Sequence, residues 1–268
     1  MNRLEEFSPV IFYRGRNVKK IIKVIVAIFV LVPLLMYAWL LYSTKANLAS
    51  PTQEALAALV GDDAVRVEAG DWLVMRPVAS EPKAGLILYP GANCDIRGYA
   101  SILRSVAAQG YLVIAVSMPF DFSIFSPNKA DEVRAAYPEI RKWVIAGHSM
   151  GGAMAARFAF LNEANLAGLI LWDAYPPAAN SLADFKLPVV HVHRATLDGL
   201  APQSFAEMRY LFPANSQWVP VPGGLHMYFG SFNGGAYQET WEAGIERDAQ
   251  QALIVAATLD GMAQMTGP

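Results

Sequence analysis

One serine in the sequence lies in a pattern that suits a nucleophile. Ser149 stands between Gly147 and Gly151, after the apolar run Trp143–Gly147 and before the helical pattern Met150–Leu161. Strand, sharp turn and helix in this order expose a serine at a helix N-terminus, where developing negative charge is stabilised. Small flanking residues are needed because the turn brings neighbouring backbone close. The pattern predicts acyl-transfer chemistry at Ser149, against the alternative of a glycine-rich turn with an incidental serine.

A serine hydroxyl needs a base, and the chain has four histidines. His148 adjoins Ser149 and is expected to point away from it. His191 and His193 alternate with valines and so share one strand face; a structural role is favoured over half of a metal site, because no ligand cluster completes the site. His226 lies among glycines directly after the last strand, so we predict that it is the base rather than a surface histidine.

The residue that orients the base is expected between serine and histidine in the chain, and two aspartates qualify. Asp198 follows the strand that carries His191 and His193 and lies in a turn. Asp173 ends the preceding strand, just before the proline-rich 175–177. We predict Asp198, because its turn suits an acid on a loop, and Asp173 remains the alternative.

A tetrahedral oxyanion requires two backbone donors. Met150 follows the nucleophile and supplies one N–H, and Ala92, in the turn after Gly85–Tyr89, is predicted to supply the other. The candidate substrate pocket comprises Asn93, Cys94, Met118 and Phe120. Cys94 also suits a small buried position. This chemistry calls for neither a metal nor an organic cofactor.

Apolar runs alternate with helical patterns from residue 72 onward. The predicted strands are Trp72–Met75, Gly85–Tyr89, Tyr111–Ser117, Trp143–Gly147, Ala167–Trp172, Pro188–His193 and Gln217–Val221. The predicted helices are Thr52–Val60, Tyr99–Gln109, Asp131–Tyr137, Met150–Leu161, Ser204–Phe212 and a long one from about Tyr237 to Met262. Several strands are apolar on both faces, as strands covered by helices should be. The alternation predicts an α/β fold with a mostly parallel central sheet flanked by helices.

The N-terminal region differs from the rest in charge and hydropathy. Val24–Thr44 comprises 21 uncharged residues, about 30 Å as a helix, which matches a bilayer core. Basic residues precede it, with Lys45 alone in the next twenty, so the N-terminus is expected to be cytoplasmic and the body exported. A cleaved signal peptide is the main alternative, with 46–50 as a weak cleavage site.

Charge and composition narrow the function further. Residues 1–45 carry a net charge of +5 and residues 46–268 a net charge of −7, within a total of −2. An acidic body without a basic stripe is a poor nucleic-acid surface. A single cysteine precludes an internal disulfide. The expected organisation is 1–23 cytoplasmic basic segment, 24–44 transmembrane anchor, 45–70 linker with a short helix, and 71–268 catalytic domain.

Five motifs, taken in order, resemble the α/β-hydrolase superfamily, most closely small bacterial dienelactone-hydrolase-like enzymes. They are Tyr89-Pro90-Gly91, Met118-Pro119-Phe120, Gly147-His148-Ser149-Met150-Gly151-Gly152, Thr196-Leu197-Asp198-Gly199 and Gly223-Gly224-Leu225-His226-Met227-Tyr228-Phe229-Gly230. Two departures stand out: Leu225 precedes the histidine where asparagine is frequent, and Arg194-Ala195 replaces a small glycine.

The resemblance implies the α/β-hydrolase fold and a hydrolase activity. Only 14 residues separate Trp172 from Leu187, where relatives insert a helical cap, so little or no cap is expected. The expected function is a membrane-anchored serine hydrolase acting on a small-molecule carboxylic ester through an acyl-enzyme. An acyltransferase on the same triad, or a binding protein on a hydrolase fold, are the alternatives.

Overall fold

The computed structural model describes residues 16–267. It divides into two compact units, with the boundary between Ser43 and Thr44. The first 15 residues of the expected cytoplasmic segment 1–23 lie outside the described residues.

The first unit contains most of a single long helix, α1 (Arg16–Asn47). Its stretch Lys20–Asn47 contains an 18-residue window with a mean hydropathy of 2.7, and the stretch is long and apolar enough to cross a membrane. Pro33 lies within it. The expected apolar helix at 24–44 is therefore present, and it is a candidate transmembrane helix by length and composition.

The second unit is built on an eight-stranded sheet. The strands of this unit are β1 (Ser50–Pro51), β2 (Val65–Ala69), β3 (Trp72–Pro77), β4 (Gly85–Tyr89), β5 (Leu112–Val116), β6 (Trp143–His148), β7 (Gly168–Trp172), β8 (Val189–Ala195), β9 (Gln217–Pro222) and β10 (Phe232–Asn233). Its helices are α2 (Gln53–Ala57), α3 (Ala100–Ala107), α4 (Lys129–Ala136), α5 (Met150–Asn162), α6 (Gln203–Glu207) and α7 (Arg247–Thr266).

The sheet has the order β2-β3-β5-β4-β6-β7-β8-β9. The two pairings of β3 are antiparallel, and every pairing from β5 to β9 across the sheet is parallel. Strands β4 to β8 are buried along their whole length, because helices cover both faces. This confirms the predicted α/β-hydrolase fold. Strand β5 is added on one side of β4 and strand β6 on the other, so the strand order changes direction at β4. Ligands of α/β proteins bind at the carboxyl ends of the strands at such a point, which here are β4 and β6.

Two parts of the second unit differ from the sequence-based expectation. The expected linker 45–70 contacts the rest of the unit, because Ala49 is buried and its N–H donates to the carbonyl of Asn93 over 2.7 Å. The stretch also contains β1 and the edge strand β2, the latter missed because charged residues interrupt its apolar ones. The second unit therefore begins at Thr44, within the last turn of α1.

The last helix begins at Arg247, ten residues later than predicted. Residues 237–246 form an irregular segment instead, which follows Gly234 and Gly235, both at positive φ. Its side chains bind the loop that carries His226, and those contacts replace the helical hydrogen bonds that the sequence pattern had suggested. We call residues 234–246 the covering segment.

Candidate active site

The turn at Ser149 has the strained geometry that the glycine pattern predicted. Ser149 has φ 54° and ψ −125°, and α5 begins at the next residue. A Cβ on Gly147 would lie 2.4 Å from the carbonyl oxygen of Gly151, and one on Gly151 would lie 2.2 Å from that of Tyr89. Only glycine allows these approaches, so β4, β6 and α5 can converge behind the serine. Such strain in a non-glycine residue is typical of functional sites.

His226 is held by an aspartate at the carboxyl end of β7. Its Nδ1 lies 2.5 Å from Oδ2 of Asp173. Both residues are buried, and Asp173 also has a positive φ, at 48°. The backbone fixes this carboxylate, because the N–H of Asp173 donates to the carbonyl of Val192 over 2.8 Å. The N–H of Ser149 likewise donates to the carbonyl of Trp172 over 3.1 Å, so serine and acid stand at one sheet edge.

The structure does not bring the predicted acid, Asp198, to His226. Strand β8 continues to Ala195, two residues further than predicted, so the following turn projects beyond the sheet edge. Asp198 is exposed there and accepts a hydrogen bond from the Thr196 hydroxyl. The aspartate in this turn stabilises the turn itself, whereas the alternative weighed from the sequence, Asp173, reaches the histidine.

Arg194 is a second partner of the Asp173 carboxylate. Its Nη1 lies 3.1 Å from Oδ2 of Asp173, and its backbone N–H donates to Oδ1 over 2.9 Å. Burial acts to raise the pKa of the Asp173 carboxyl, but the hydrogen bond and charge of His226, followed by Arg194, outweigh it. The pKa therefore lies below its ordinary value, and Asp173 is a carboxylate at neutral pH.

Two rings enclose the imidazole of His226. Tyr237 of the covering segment lies on one side, with ring centroids 4.1 Å apart, and His148 lies 4.6 Å away. Glu239 accepts hydrogen bonds from the N–H groups of His226 and Met227. The covering segment therefore fixes both the ring and the backbone of the histidine.

His148 points away from the serine, as expected, and binds the histidine loop. Its Nε2 lies 3.1 Å from the carbonyl oxygen of His226, which can only accept, so Nε2 carries the proton. Its Nδ1 accepts from the Tyr99 hydroxyl over 2.9 Å, and that hydroxyl accepts from the N–H of Gly91. Burial, then the neighbouring His226, lowers the pKa of His148 well below its ordinary value, which keeps it neutral. This chain connects the histidine loop to the loop after β4.

The predicted oxyanion donors lie on two segments that meet. Met150 is the first residue of α5, where backbone N–H groups lack helical acceptors. The close approach of Gly151 to Tyr89 brings that helix end against the loop carrying Ala92. Among the described residues, the N–H of Ala92 has no acceptor. A shared oxyanion between these two N–H groups stays a prediction.

A cavity of about 420 Å³ opens beside the serine. Its lining residues are Ser149, Met150, Ala153, Asp173, Ala174, Tyr175, Arg194, Ser204, Phe205, His226 and Tyr237. Its aromatic residues could not be predicted from the sequence, since they come from three separate parts of the chain: the segment after β7, helix α6 and the covering segment. Arg194 could have been suspected from the sequence, because Arg194-Ala195 stands where the family pattern has a small glycine.

The four predicted pocket residues do not line this cavity. Met118 is a core residue, and Cys94 is buried, which raises the pKa of its thiol to about 12. Asn93 has φ 52° and accepts the N–H of Ala49 at its carbonyl. Phe120 packs edge-to-face on Phe125. The structure therefore does not place these four residues at the cavity beside Ser149.

The pair His191 and His193 is buried under an aromatic cluster. Phe205, Phe212 and Trp218 pack against His191. No cluster of three or more candidate metal ligands occurs within residues 16–267. The two histidines are packing residues of the described fold.

A search of curated proteins found no match to this sequence. Solved structures with a similar fold include TT1662 from Thermus thermophilus, at 13% identity and a TM-score of 0.51, covering 76% of this chain and 99% of the other. Est1E from Butyrivibrio proteoclasticus is similar at 12% identity and a TM-score of 0.55, covering 76% and 100%.

A soluble variant of monoglyceride lipase from Saccharomyces cerevisiae is similar at 10% identity and a TM-score of 0.53, covering 79% and 98% of the two chains. These likenesses show the fold. The model of the alpha/beta hydrolase family matches residues 85–252, which include the serine turn and the His226 loop. The chain belongs to the alpha/beta hydrolase family.

Proposed function

We propose that this protein is a membrane-anchored serine hydrolase that cleaves carboxylic esters through Ser149, His226 and Asp173. One observation carries the proposal. The hydrogen bond of 2.5 Å between buried Asp173 and His226 lies at the wall of a cavity that Ser149 also lines. A buried acid, a histidine and a serine on a strained turn form the arrangement that activates a serine hydroxyl.

Each group has one role in this mechanism. Asp173 holds the Nδ1 proton of His226, which leaves Nε2 to take the proton of the Ser149 hydroxyl. The serine oxygen attacks the ester carbonyl, and the N–H groups of Met150 and Ala92 hold the oxyanion. His226 returns its proton to the leaving alcohol as the acyl-enzyme forms. A water then repeats the sequence and releases the acid.

The cavity supports an ester of modest size with an apolar or aromatic acyl group. Tyr175, Phe205 and Tyr237 line it. The 14 residues between Trp172 and Leu187 contain only a short 3-10 turn, Ala178–Asn180, so a substrate meets no helical cap there. The similar structures include a protein named a monoglyceride lipase and one named an esterase domain, which favours esters.

The membrane part of the proposal is supported by α1. Its length and hydropathy suit a bilayer, and basic residues including Lys20 and Lys23 precede its apolar core. By the positive-inside rule the hydrolase unit lies outside the cytoplasm. Alkaline phosphatase and green fluorescent protein fused after residue 60 test this. We expect an active phosphatase and a dark fluorescent protein, and a bright fluorescent protein contradicts the orientation.

The enzyme part is tested on the full chain in detergent. We expect a fluorophosphonate probe to label wild type and Ser204→Ala, but not Ser149→Ala. Ser204 is the matched control, because it lines the same cavity without a place in the triad. A panel of p-nitrophenyl esters should be hydrolysed by the same two proteins. Labelling that persists in Ser149→Ala, together with unchanged turnover, refutes the proposal.

A further inference from the structure

Arg194 occupies an unusual place for a buried cation. Its side chain is 9% exposed, and Nη1 contacts both Oδ2 of Asp173, at 3.1 Å, and the Tyr237 hydroxyl, at 2.6 Å. The rings of Phe205, Tyr237 and Trp241 surround the guanidinium at 5.2 to 6.0 Å. The cation is therefore held rigidly in the cavity wall.

Arg194 and His226 bind the same carboxylate oxygen. Oδ2 of Asp173 takes both the imidazole Nδ1 and the guanidinium Nη1, while Oδ1 takes the backbone N–H of Arg194. The carboxylate thus has three donors that fix its plane, two of them from one residue. It cannot rotate away from His226 without breaking the Arg194 bonds.

The charges around His226 can be named from every element packed against it. Asp173 of the β7 end and Glu239 of the covering segment are the carboxylates, and Arg194 is the cation. His148 is neutral, and Tyr237 is a neutral phenol whose pKa is raised by burial. Arg194 is therefore the one fixed positive charge among these groups.

We propose that Arg194 is a positioning residue for the His226–Asp173 pair, which locks the carboxylate in the plane that accepts the Nδ1 proton of the imidazole. The inference rests on the proposed function. Without the guanidinium, the carboxylate keeps only the backbone N–H of residue 194 and the imidazole as donors. It then has freedom to rotate, and His226 loses the fixed acceptor that orients its Nε2 for catalysis.

The test measures kcat and KM for one ester at pH 8, with the full chain in detergent. For Arg194→Lys we expect a kcat about tenfold lower, with KM little changed, because an ammonium keeps the charge but lacks the planar fork. For Arg194→Gln, which removes the charge and part of the fork, we expect kcat to fall at least as far, again with KM little changed. Arg209→Gln, an exposed arginine stacked on Trp218, is the matched control.

Three results overturn the inference: a wild-type kcat in Arg194→Lys, a wild-type kcat in Arg194→Gln, or an equal fall of kcat in Arg209→Gln. Should Arg194→Gln fail to fold, the kcat of Arg194→Lys still decides. A wild type without esterase activity or Ser149 labelling contradicts the proposed function instead. In that case the NMR signal of the His226 Nδ1 proton, compared in wild type and Arg194→Lys, tests the hydrogen bond to Asp173 without turnover.

Discussion

Strands β7 and β8 lie side by side, and each is followed by an aspartate in a different situation. Asp173 directly follows β7, is buried, has φ 48° and binds His226 and Arg194. Asp198 lies three residues past the end of β8, is exposed and binds Thr196. Both satisfy the same order in the chain, and only one can reach the histidine.

The difference shows that distance from the strand end matters more than the appearance of the turn. A residue directly after a parallel strand stays at the sheet edge, where Ser149 also lies. A residue three positions later belongs to the loop and can satisfy its carboxylate locally. Asp173 has a backbone conformation that is unfavourable for a non-glycine residue, and the surrounding fold maintains it.

The largest expected effect separates the two aspartates by activity. Asp173→Asn should lower kcat by about 10³ to 10⁴-fold, because an amide leaves the imidazole in the wrong tautomer. Asp198→Asn should stay within about twofold of wild type, since Asp198 contacts only its own turn. Ester hydrolysis at pH 8 measures both. A crippled Asp198→Asn with an active Asp173→Asn reverses the assignment.

The next largest effect is expected at Tyr237 of the covering segment, which packs on the buried His226–Asp173 pair. Tyr237→Ala removes the ring stacked on His226 and the hydroxyl bound by Arg194, and we expect kcat/KM to fall about tenfold. Tyr210→Ala, at a tyrosine that is 64% exposed, is the control and should leave the rate unchanged. Equal rates in the two variants would mean that the covering segment does not orient the histidine.

Acid stability should also distinguish the two carboxylates. Folding lowers the pKa of Asp173, so its stabilising contribution is present above its unfolded pKa, near 3.9, and is lost as the pH falls through the folded value. We therefore expect Tm to fall less between pH 6 and pH 3 in Asp173→Asn than in wild type. Asp198→Asn should follow wild type, and an equally steep fall in Asp173→Asn contradicts the shift.

The smallest effect is expected at the exposed turn. Thr196→Val removes the hydroxyl that donates to Asp198 and accepts from the N–H of Leu200, at a cost of about 1 kcal/mol of unfolding free energy. Urea unfolding measures the cost, and kcat/KM should stay within about twofold. A large loss of activity would show that the turn supports the site after all.

Much of the fold could be predicted because its signals are local. Predicted Gly85–Tyr89 matches β4 at both ends, and predicted Trp143–Gly147 differs from β6 by one residue, since buried strands read as continuous apolar runs. The edge strand β2 and the covering segment were missed. Their residues depend on contacts with distant parts of the chain, and the covering segment follows the histidine loop rather than its own helical pattern.

The candidate site divides in the same way. The sequence by itself predicted Ser149, the flanking glycines and His226, because a strained turn and a glycine-rich loop require particular neighbouring residue types. Only the tertiary structure shows that Asp173, and not Asp198, contacts His226. Only the tertiary structure brings Arg194 to that carboxylate and Tyr237 to the histidine ring. These contacts depend on where β7 and β8 end and on which side chains meet across distant parts of the chain. The spacing of residues along the sequence does not predict either.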